Sequence, residues 1–444
     1  MNIRGIAKLV AGNLLVLLAL LAIGSLVLRG VSYLQMAGDG AGVSWAANDR
    51  SNRKPFRATY PPYRHLDPEY AYAIFNEQDG PSMFYVPFSG WRRLPRKGRA
   101  VNVEEEYRTR LSTNHQINDS VWFLGGSTMW GTGADDANTI PSLYAEITGE
   151  PVWNLGEGGY ISFQELAQLM AMLAKGLKPR LVVFYDGVNE RLYCNANNDQ
   201  YPSHRRAQLW DQVIREYPKL KRDNERLQQV QESQVERSRR ISVFAEFGRT
   251  VRSTVGFFTA PYRDLFRKAT DKSVLAGRLP ASRKTDTPFK EFRAKANYHI
   301  CDRSQEKREL AARTTVETWL LASDILKARG IELKIFLQPS ARIAPETLNL
   351  DYLADSTKQH IANEAPSFQA QYKAIKRVWS ESCATRDACD AFHDISTVFS
   401  GLPDPIFVDP SHVGHQGNRI VAERMHEIIS AGENALAAGD ETGG

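Results

Sequence analysis

Short apolar runs alternate with amphipathic segments in two stretches of the chain. Residues 121–124, 152–155 and 181–185 are almost wholly apolar, which is typical of short strands buried on both faces of a parallel sheet. Two further strands are predicted at 333–337 and 391–395. Apolar residues with helical spacing predict the intervening helices at 139–147, 162–177, 305–329, 360–382 and 415–430. Alternation of this kind predicts an α/β fold with helices on both faces of a central parallel sheet.

The start of two helices is also indicated by particular residues. Pro141 falls in the first turn of the helix at 139–147, where its missing N–H is tolerated. Ser162 is the predicted N-cap of the next helix.

The alternation is interrupted by a long polar segment at 194–303, which we interpret as a mostly helical insertion. Its middle part, 218–240, is strongly charged, and its later part, 249–293, contains eleven Lys and Arg against four Asp and Glu. A solvated helical face explains this charge. The alternative is a lid or a basic surface that faces membrane headgroups or an acidic polymer.

The N-terminus predicts a membrane anchor. Residues 9–28 carry no charge, and about 20 such residues cross the hydrocarbon core of a bilayer. A cleaved signal peptide is the alternative, but no small-residue cleavage site follows the run. Arg4 and Lys8 favour a cytoplasmic stub at 1–8 and an extracytoplasmic body. After the anchor we expect a tether and an irregular region at 29–118, a main domain at 119–434 and a disordered tail at 435–444.

Four cysteines fit an oxidising compartment. We predict disulfides Cys383–Cys389, which closes a small loop, and Cys194–Cys301, which joins the ends of the insertion; four free buried thiols are the alternative. A metal site is not indicated, because there is no Cys-x-x-Cys pair and no histidine at ligand spacing near the cysteines. The formal net charge of +5 permits an anionic partner but does not indicate nucleic acid. No phosphate-binding glycine motif is present, so neither a nucleotide nor another cofactor is predicted.

Residues able to perform acyl transfer follow the predicted strands or precede the last helix. Ser127 follows the first strand, Gly159 the second and Asn189 the third, whereas Asp409 and His412 lie just before the helix at 415–430. Because such positions meet at the carboxyl edge of an open α/β sheet, we expect them to form one site. Ser127 would be the nucleophile, His412 its base and Asp409 the partner of the base. The N–H groups of Ser127 and Gly159 and the Asn189 amide would stabilise the oxyanion.

Two residues compete for these roles. His415 could replace His412 as the base, although it lies six residues beyond Asp409 and begins the last predicted helix. Gly156 could replace Gly159 as an oxyanion donor. His299 and His393 are interpreted as structural histidines.

These residues resemble the SGNH (GDSL-like) hydrolase superfamily, whose blocks are Gly-Asp-Ser, a glycine after the second strand, Gly-x-Asn-Asp and Asp-x-x-His. The corresponding residues, in the same order, are Gly125-Gly126-Ser127, Gly159, Gly187-Val188-Asn189-Glu190 and Asp409-Pro410-Ser411-His412. The resemblance covers 119–193 and 305–432. It favours Gly159, since the family's glycine stands five residues after the equivalent of Asn154. Gly126 and Glu190 differ from the family, which has aspartate at both positions.

The resemblance implies a flavodoxin-like three-layer sandwich. The form Gly-Gly-Ser-Thr is similar to a membrane-anchored branch of the family, so the implied protein is an extracytoplasmic serine esterase or O-acyltransferase. Its implied substrate is an O-acyl, above all O-acetyl, group on an envelope or secreted glycan. The alternative is a catalytically inert protein of the same fold that binds a glycan or a partner in a polysaccharide assembly or export complex.

Overall fold

The computed structural model describes residues 56–78, 83–194, 202–204 and 304–441. They belong to a compact unit that begins at Pro55. The predicted anchor at 9–28 and the insertion beyond Cys194, apart from 202–204, lie outside the described residues. Within the described ranges, no helix is both long enough and apolar enough to cross a membrane.

The described chain contains seven strands and eight α-helices in these ranges. The strands are β1 (Met83–Val86), β2 (Gly90–Arg93), β3 (Val121–Gly125), β4 (Val152–Asn154), β5 (Leu181–Asp186), β6 (Glu332–Leu337) and β7 (Phe392–Asp394). The helices are α1 (Pro68–Gln78), α2 (Ser127–Trp130), α3 (Ile140–Thr148), α4 (Ser162–Ala174), α5 (Arg191–Cys194), α6 (Gln305–Lys327), α7 (Asp355–Ser382) and α8 (His415–Glu441).

Strands β3 to β7 form one five-stranded parallel sheet in the order β4-β3-β5-β6-β7. Counted along the chain, this order is 2-1-3-4-5, which is compatible with a flavodoxin-like fold. The direction of winding reverses between β3 and β5, and ligands of open α/β sheets bind at this reversal. The predicted α/β class and central parallel sheet are therefore confirmed.

The core lies on both faces of this sheet because neighbouring side chains of a strand point to opposite sides. Val121 and Phe123 of β3 pack in the layer that contains α3 and α8. Trp122 and Leu124 pack in the opposite layer, which contains α4, α6 and most of α7. All residues of β3 and β5 are buried, which explains why these strands have no polar alternation.

Several helix boundaries differ from the prediction. Ser162 is the first residue of α4 rather than its N-cap, and Ile161 precedes it. Helix α7 starts at Asp355, whose carboxylate suits the positive N-terminal end of a helix. Helix α8 continues to Glu441, past residue 435 where a disordered tail was predicted. Its extension is rich in alanine, the best helix former.

The region predicted to be irregular before residue 119 contains regular elements. It has α1, the antiparallel hairpin β1–β2, and 3₁₀ turns at Phe56–Thr59 and Pro61–Tyr63. The buried residues of α1 recur at helical spacing: Ala71, Ile74, Phe75 and Gln78. This region packs on the main domain, as expected, but the prediction that it lacks regular structure was wrong because these elements are short and stabilised by tertiary contacts.

The disulfide Cys383–Cys389 is present and closes the short segment between α7 and β7. Cys194 is also disulfide-bonded. Its predicted partner, Cys301, lies outside the described residues, so this pairing stays a prediction.

Candidate active site

Ser127 lies directly beyond the carboxyl end of the central strand β3. The strand ends at Gly125, Gly126 is extended, and Ser127 begins α2. A Cβ atom on Gly126 would clash with Nδ2 of Asn189, far inside van der Waals contact. Glycine is therefore required there because Asn189 packs against the backbone next to Ser127.

Ser127 is hydrogen-bonded to a histidine that lies 285 residues away in the sequence. His412 Nε2 is 2.7 Å from Ser127 Oγ, and His412 Nδ1 is 2.9 and 2.8 Å from Oδ1 and Oδ2 of Asp409. A nucleophile, a base and an orienting carboxylate in hydrogen-bond contact are the arrangement that activates a serine. The structure thus brings together the three residues predicted to form the triad.

The Asp409–His412 loop is held by its own hydrogen bonds. Asp409 Oδ1 accepts from the backbone N–H groups of Ser411 and His412, each at 2.9 Å. The N–H of Val408 donates to the His412 carbonyl at 2.8 Å. The three-residue spacing lets Asp409 close this turn and still reach the imidazole, as aspartate side chains do in turns.

Asp409 is held as a carboxylate. Burial opposes its ionisation, but the charge and hydrogen bond of His412, the Ser411 N–H and the positive charge of Arg57 outweigh burial and hold the pKa of Asp409 well below its usual range. Arg57 Nη1 donates to Asp409 Oδ2 at 2.7 Å. An ionised Asp409 favours the imidazole tautomer with its proton on Nδ1, which leaves Nε2 to accept the proton of Ser127.

Of the predicted oxyanion donors, Asn189 packs against Gly126, the residue before Ser127. Asn189 Nδ2 donates one hydrogen to the Tyr160 carbonyl at 2.7 Å, which orients the amide and leaves its second hydrogen for a ligand. Gly159 adopts φ of +80°, a left-handed conformation that favours glycine. In the part of the chain described, the backbone N–H groups of Ser127 and Gly159 donate to no acceptor. This arrangement can stabilise a developing oxyanion.

The loop that carries Asn189 is fixed by the buried carboxyl group of Glu190. Glu190 Oε2 accepts from the Gly187 N–H at 2.6 Å, and Oε1 accepts from the Ser162 N–H at 3.1 Å. Glu190 thereby joins the end of β5 to the start of α4. Glu190 thus holds the loop in place through these two hydrogen bonds.

Glu190 belongs to a buried group of three acids, together with Glu165 and Asp186. We call this group the carboxyl cluster. Asp186 accepts from Trp319 Nε1 at 2.7 Å, whereas no N–H or O–H group of the described residues donates to Glu165. Burial raises the pKa values of all three, and the charge of Asp186 raises those of both glutamates further. Because Glu165 and Asp186 interact with each other, their contact is favourable only when one carries a proton.

The two competing residues have other environments. The ring of His415 packs against Tyr63 and His65, with centroids 5.9 and 5.6 Å apart, and burial lowers its pKa to about 4. Gly156 is buried, and its N–H donates to Asn154 Oδ1 at 3.0 Å. The structure therefore places His412, and not His415, at Ser127, and leaves the N–H of Gly159 rather than that of Gly156 free for a ligand.

Of the two histidines interpreted as structural, His393 packs on Phe336 at the end of the sheet, and burial lowers its pKa to about 4. His299 lies outside the described residues. Among those described, no group of three or more His, Cys, Asp or Glu residues is arranged to hold a metal ion.

Sequence reasoning missed Arg57 and the carboxyl cluster. Arg57 is 352 residues from Asp409, and it lies in a region without an evident pattern. Glu165 and Asp186 gave one usable signal, because each belongs to an element whose other residues are nearly all apolar or small.

Comparison with known proteins gives no match, either to a protein-family model or to a curated protein sequence. The function is therefore inferred from the geometry of the site.

Proposed function

We propose that this protein is a serine esterase or O-acyltransferase of the SGNH type. The observation that carries the proposal is the continuous hydrogen-bonded series from Ser127 through His412 to Asp409. Support comes from its place at the carboxyl edge of the sheet, at the reversal between β3 and β5 where such folds bind ligands. Asn189 beside Gly126 and the N–H groups of Ser127 and Gly159 are the candidate donors that acyl transfer needs.

In the first half of the proposed reaction, Ser127 Oγ attacks the carbonyl carbon of an ester. His412 Nε2 takes the hydroxyl proton as the new carbon–oxygen bond forms, and Asp409 stabilises the resulting imidazolium. The N–H groups of Ser127 and Gly159 and the Asn189 amide stabilise the oxyanion. When the carbonyl re-forms, the alcohol leaves with the proton held by His412, and the acyl group remains on Ser127.

In the second half, another hydroxyl group accepts the acyl group. His412 removes its proton, the hydroxyl oxygen attacks the acyl carbon, and Ser127 leaves with the proton restored. Water gives hydrolysis, and a sugar hydroxyl gives O-acyl transfer. The resemblance to the membrane-anchored branch and the predicted anchor at 9–28 support an extracytoplasmic protein that acts on O-acetyl groups of an envelope or secreted glycan.

Reaction of the full-length protein with a fluorophosphonate probe and with aryl acetates tests the proposal. We expect probe labelling on Ser127, and we expect both labelling and turnover to be lost in Ser127→Ala and His412→Gln. Ser380→Ala is the matched control because Ser380 is exposed on α7. A folded wild-type protein that neither labels nor turns over any acetyl ester would contradict the proposal and favour the inert glycan- or partner-binding alternative.

A further inference from the structure

Arg57 connects the N-terminal part of the compact unit to the candidate triad. Its Nη1 group donates to Oδ2 of Asp409 at 2.7 Å, and its guanidinium carbon lies 5.2 Å from the centroid of the Phe75 ring. Phe75 is buried in α1. The side chain of Arg57 is therefore positioned by a cation–π contact and an ion pair at once.

The bond from Arg57 completes the set of donors to Asp409. Oδ1 accepts from two N–H groups of its own turn, and Oδ2 accepts from Arg57, while His412 Nδ1 lies close to both oxygens. Without Arg57, Oδ2 would have no donor except the imidazole among the described residues. The carboxylate could then rotate, and its full negative charge would act on His412.

The other charged and titratable groups near Asp409 do not replace Arg57. Tyr60 and Tyr63 lie on the same segment, and burial raises the pKa of both. Arg342 approaches from the loop after β6 by donating to Ser411 Oγ at 3.0 Å, but Glu364 accepts from its Nε at 2.6 Å. Among the described residues, Asp409 is the one carboxylate paired with Arg57.

We propose that Arg57 is a positioning residue of this site, which fixes the Asp409 carboxylate beside His412 and shares its negative charge. This role rests on the proposed function. Arg57 has two effects on the His412 imidazole, and both act in the same direction. Its positive charge disfavours a proton on the nearby imidazole, and its bond to Oδ2 reduces the pull of Asp409 on that proton.

The test compares full-length wild type with Arg57→Gln and Arg57→Lys in two measurements. The first is the pH profile of kcat/KM for an aryl acetate. The second is the NMR titration of ¹⁵N-histidine-labelled protein, in which His412 is assigned among nine histidines by its loss in His412→Gln. Arg419→Gln is the control, because Arg419 forms an exposed ion pair with Glu146 on another surface.

We expect Arg57→Gln to move the acid limb of the profile and the His412 titration to higher pH by about half a unit, the size expected for a partly exposed ion pair. Arg57→Lys keeps the charge but loses the planar fork, so it should restore part of the shift. Arg419→Gln should leave both measurements unchanged.

A purely structural role would lower the melting temperature of Arg57→Gln without moving either titration, and that result would overturn the proposal. The NMR measurement needs no turnover. A wild-type protein that turns over no ester but shows the Arg57-dependent titration would therefore contradict the proposed function and not the placement of Arg57.

Discussion

Two groups of acidic side chains lie near the candidate site, Asp409 at His412 and the carboxyl cluster at the loop that carries Asn189, and their surroundings differ. Asp409 receives two backbone N–H groups, an imidazole and a guanidinium, and its pKa lies below the usual range. The carboxyl cluster is buried, and burial holds its pKa values above the usual range. Both groups are buried carboxyls; the charges and donors around Asp409 outweigh burial there, whereas burial prevails in the cluster.

The difference suits the chemistry proposed for the site. A carboxylate next to His412 stabilises the imidazolium that forms when Ser127 loses its proton. Negative charge behind the Asn189 loop would instead oppose the oxyanion that forms on the substrate. A cluster that retains protons can hold the loop through Glu190 with less of this electrostatic cost.

The largest effect is expected from a substitution of Asp409, the ionised acid. Asp409→Asn keeps the size of the side chain but removes the charge and favours the wrong imidazole tautomer. We expect kcat to fall by about 10³- to 10⁴-fold, as in other serine triads. Steady-state kinetics with an aryl acetate measure the fall, and Asp404→Asn is a control on the exposed part of the preceding loop. A loss of less than tenfold in kcat would mean that Asp409 does not assist His412 as the base.

The second-largest effect is expected from a substitution that adds a carboxyl group at position 126, where the SGNH family has aspartate. Gly126→Asp would direct its Cβ against Asn189 and displace an oxyanion donor. We expect a loss of about 10²- to 10³-fold in kcat and a destabilisation of about 1–3 kcal/mol from overpacking.

Gly126→Ala distinguishes the steric effect of a Cβ atom from the effect of a carboxyl group. Alanine carries the same Cβ without a carboxyl group, so its loss of activity should approach that of Gly126→Asp. Kinetics and thermal melts of the two variants provide the comparison. An alanine variant with wild-type activity would show that the geometry at Asn189 does not require glycine.

The sequence predicts the sheet better than the surroundings of the acids. Strand β5 is a continuous apolar run, so its position follows from burial on both faces, and the Asp-x-x-His spacing identifies Asp409 with His412. The contact of Arg57 with Asp409 could not be predicted, because it is one of 56 basic residues and its partner is distant in sequence. Glu165 lies on a helix, where an acid is ordinarily exposed, and the packing of α4 against α6 buries it.

The two groups of acids also predict opposite effects of pH on stability. Unfolded carboxyl groups ionise near pH 4. Asp409 has a lowered pKa in the folded protein, so its contribution to stability is present above about pH 4 and is lost as the pH falls further. The carboxyl cluster has raised pKa values, with that of Glu190 at about 8. Its contribution is present below about pH 4 and is lost as the pH rises towards and through 8.

Glu165→Gln isolates the second effect, which is the smallest. The amide replaces a protonated carboxyl group and offers Asp186 a hydrogen-bond donor at every pH. The melting temperature of wild type should fall between pH 5 and pH 8.5. The variant should lose less, so that at pH 8.5 it is more stable by about 1–3 kcal/mol, or about 1–4 °C. Glu105→Gln, at an exposed position, should follow wild type. If Glu165→Gln also follows wild type at every pH, Glu165 does not change its protonation on folding or unfolding between pH 5 and pH 8.5, and the proposed origin of the pH dependence is wrong.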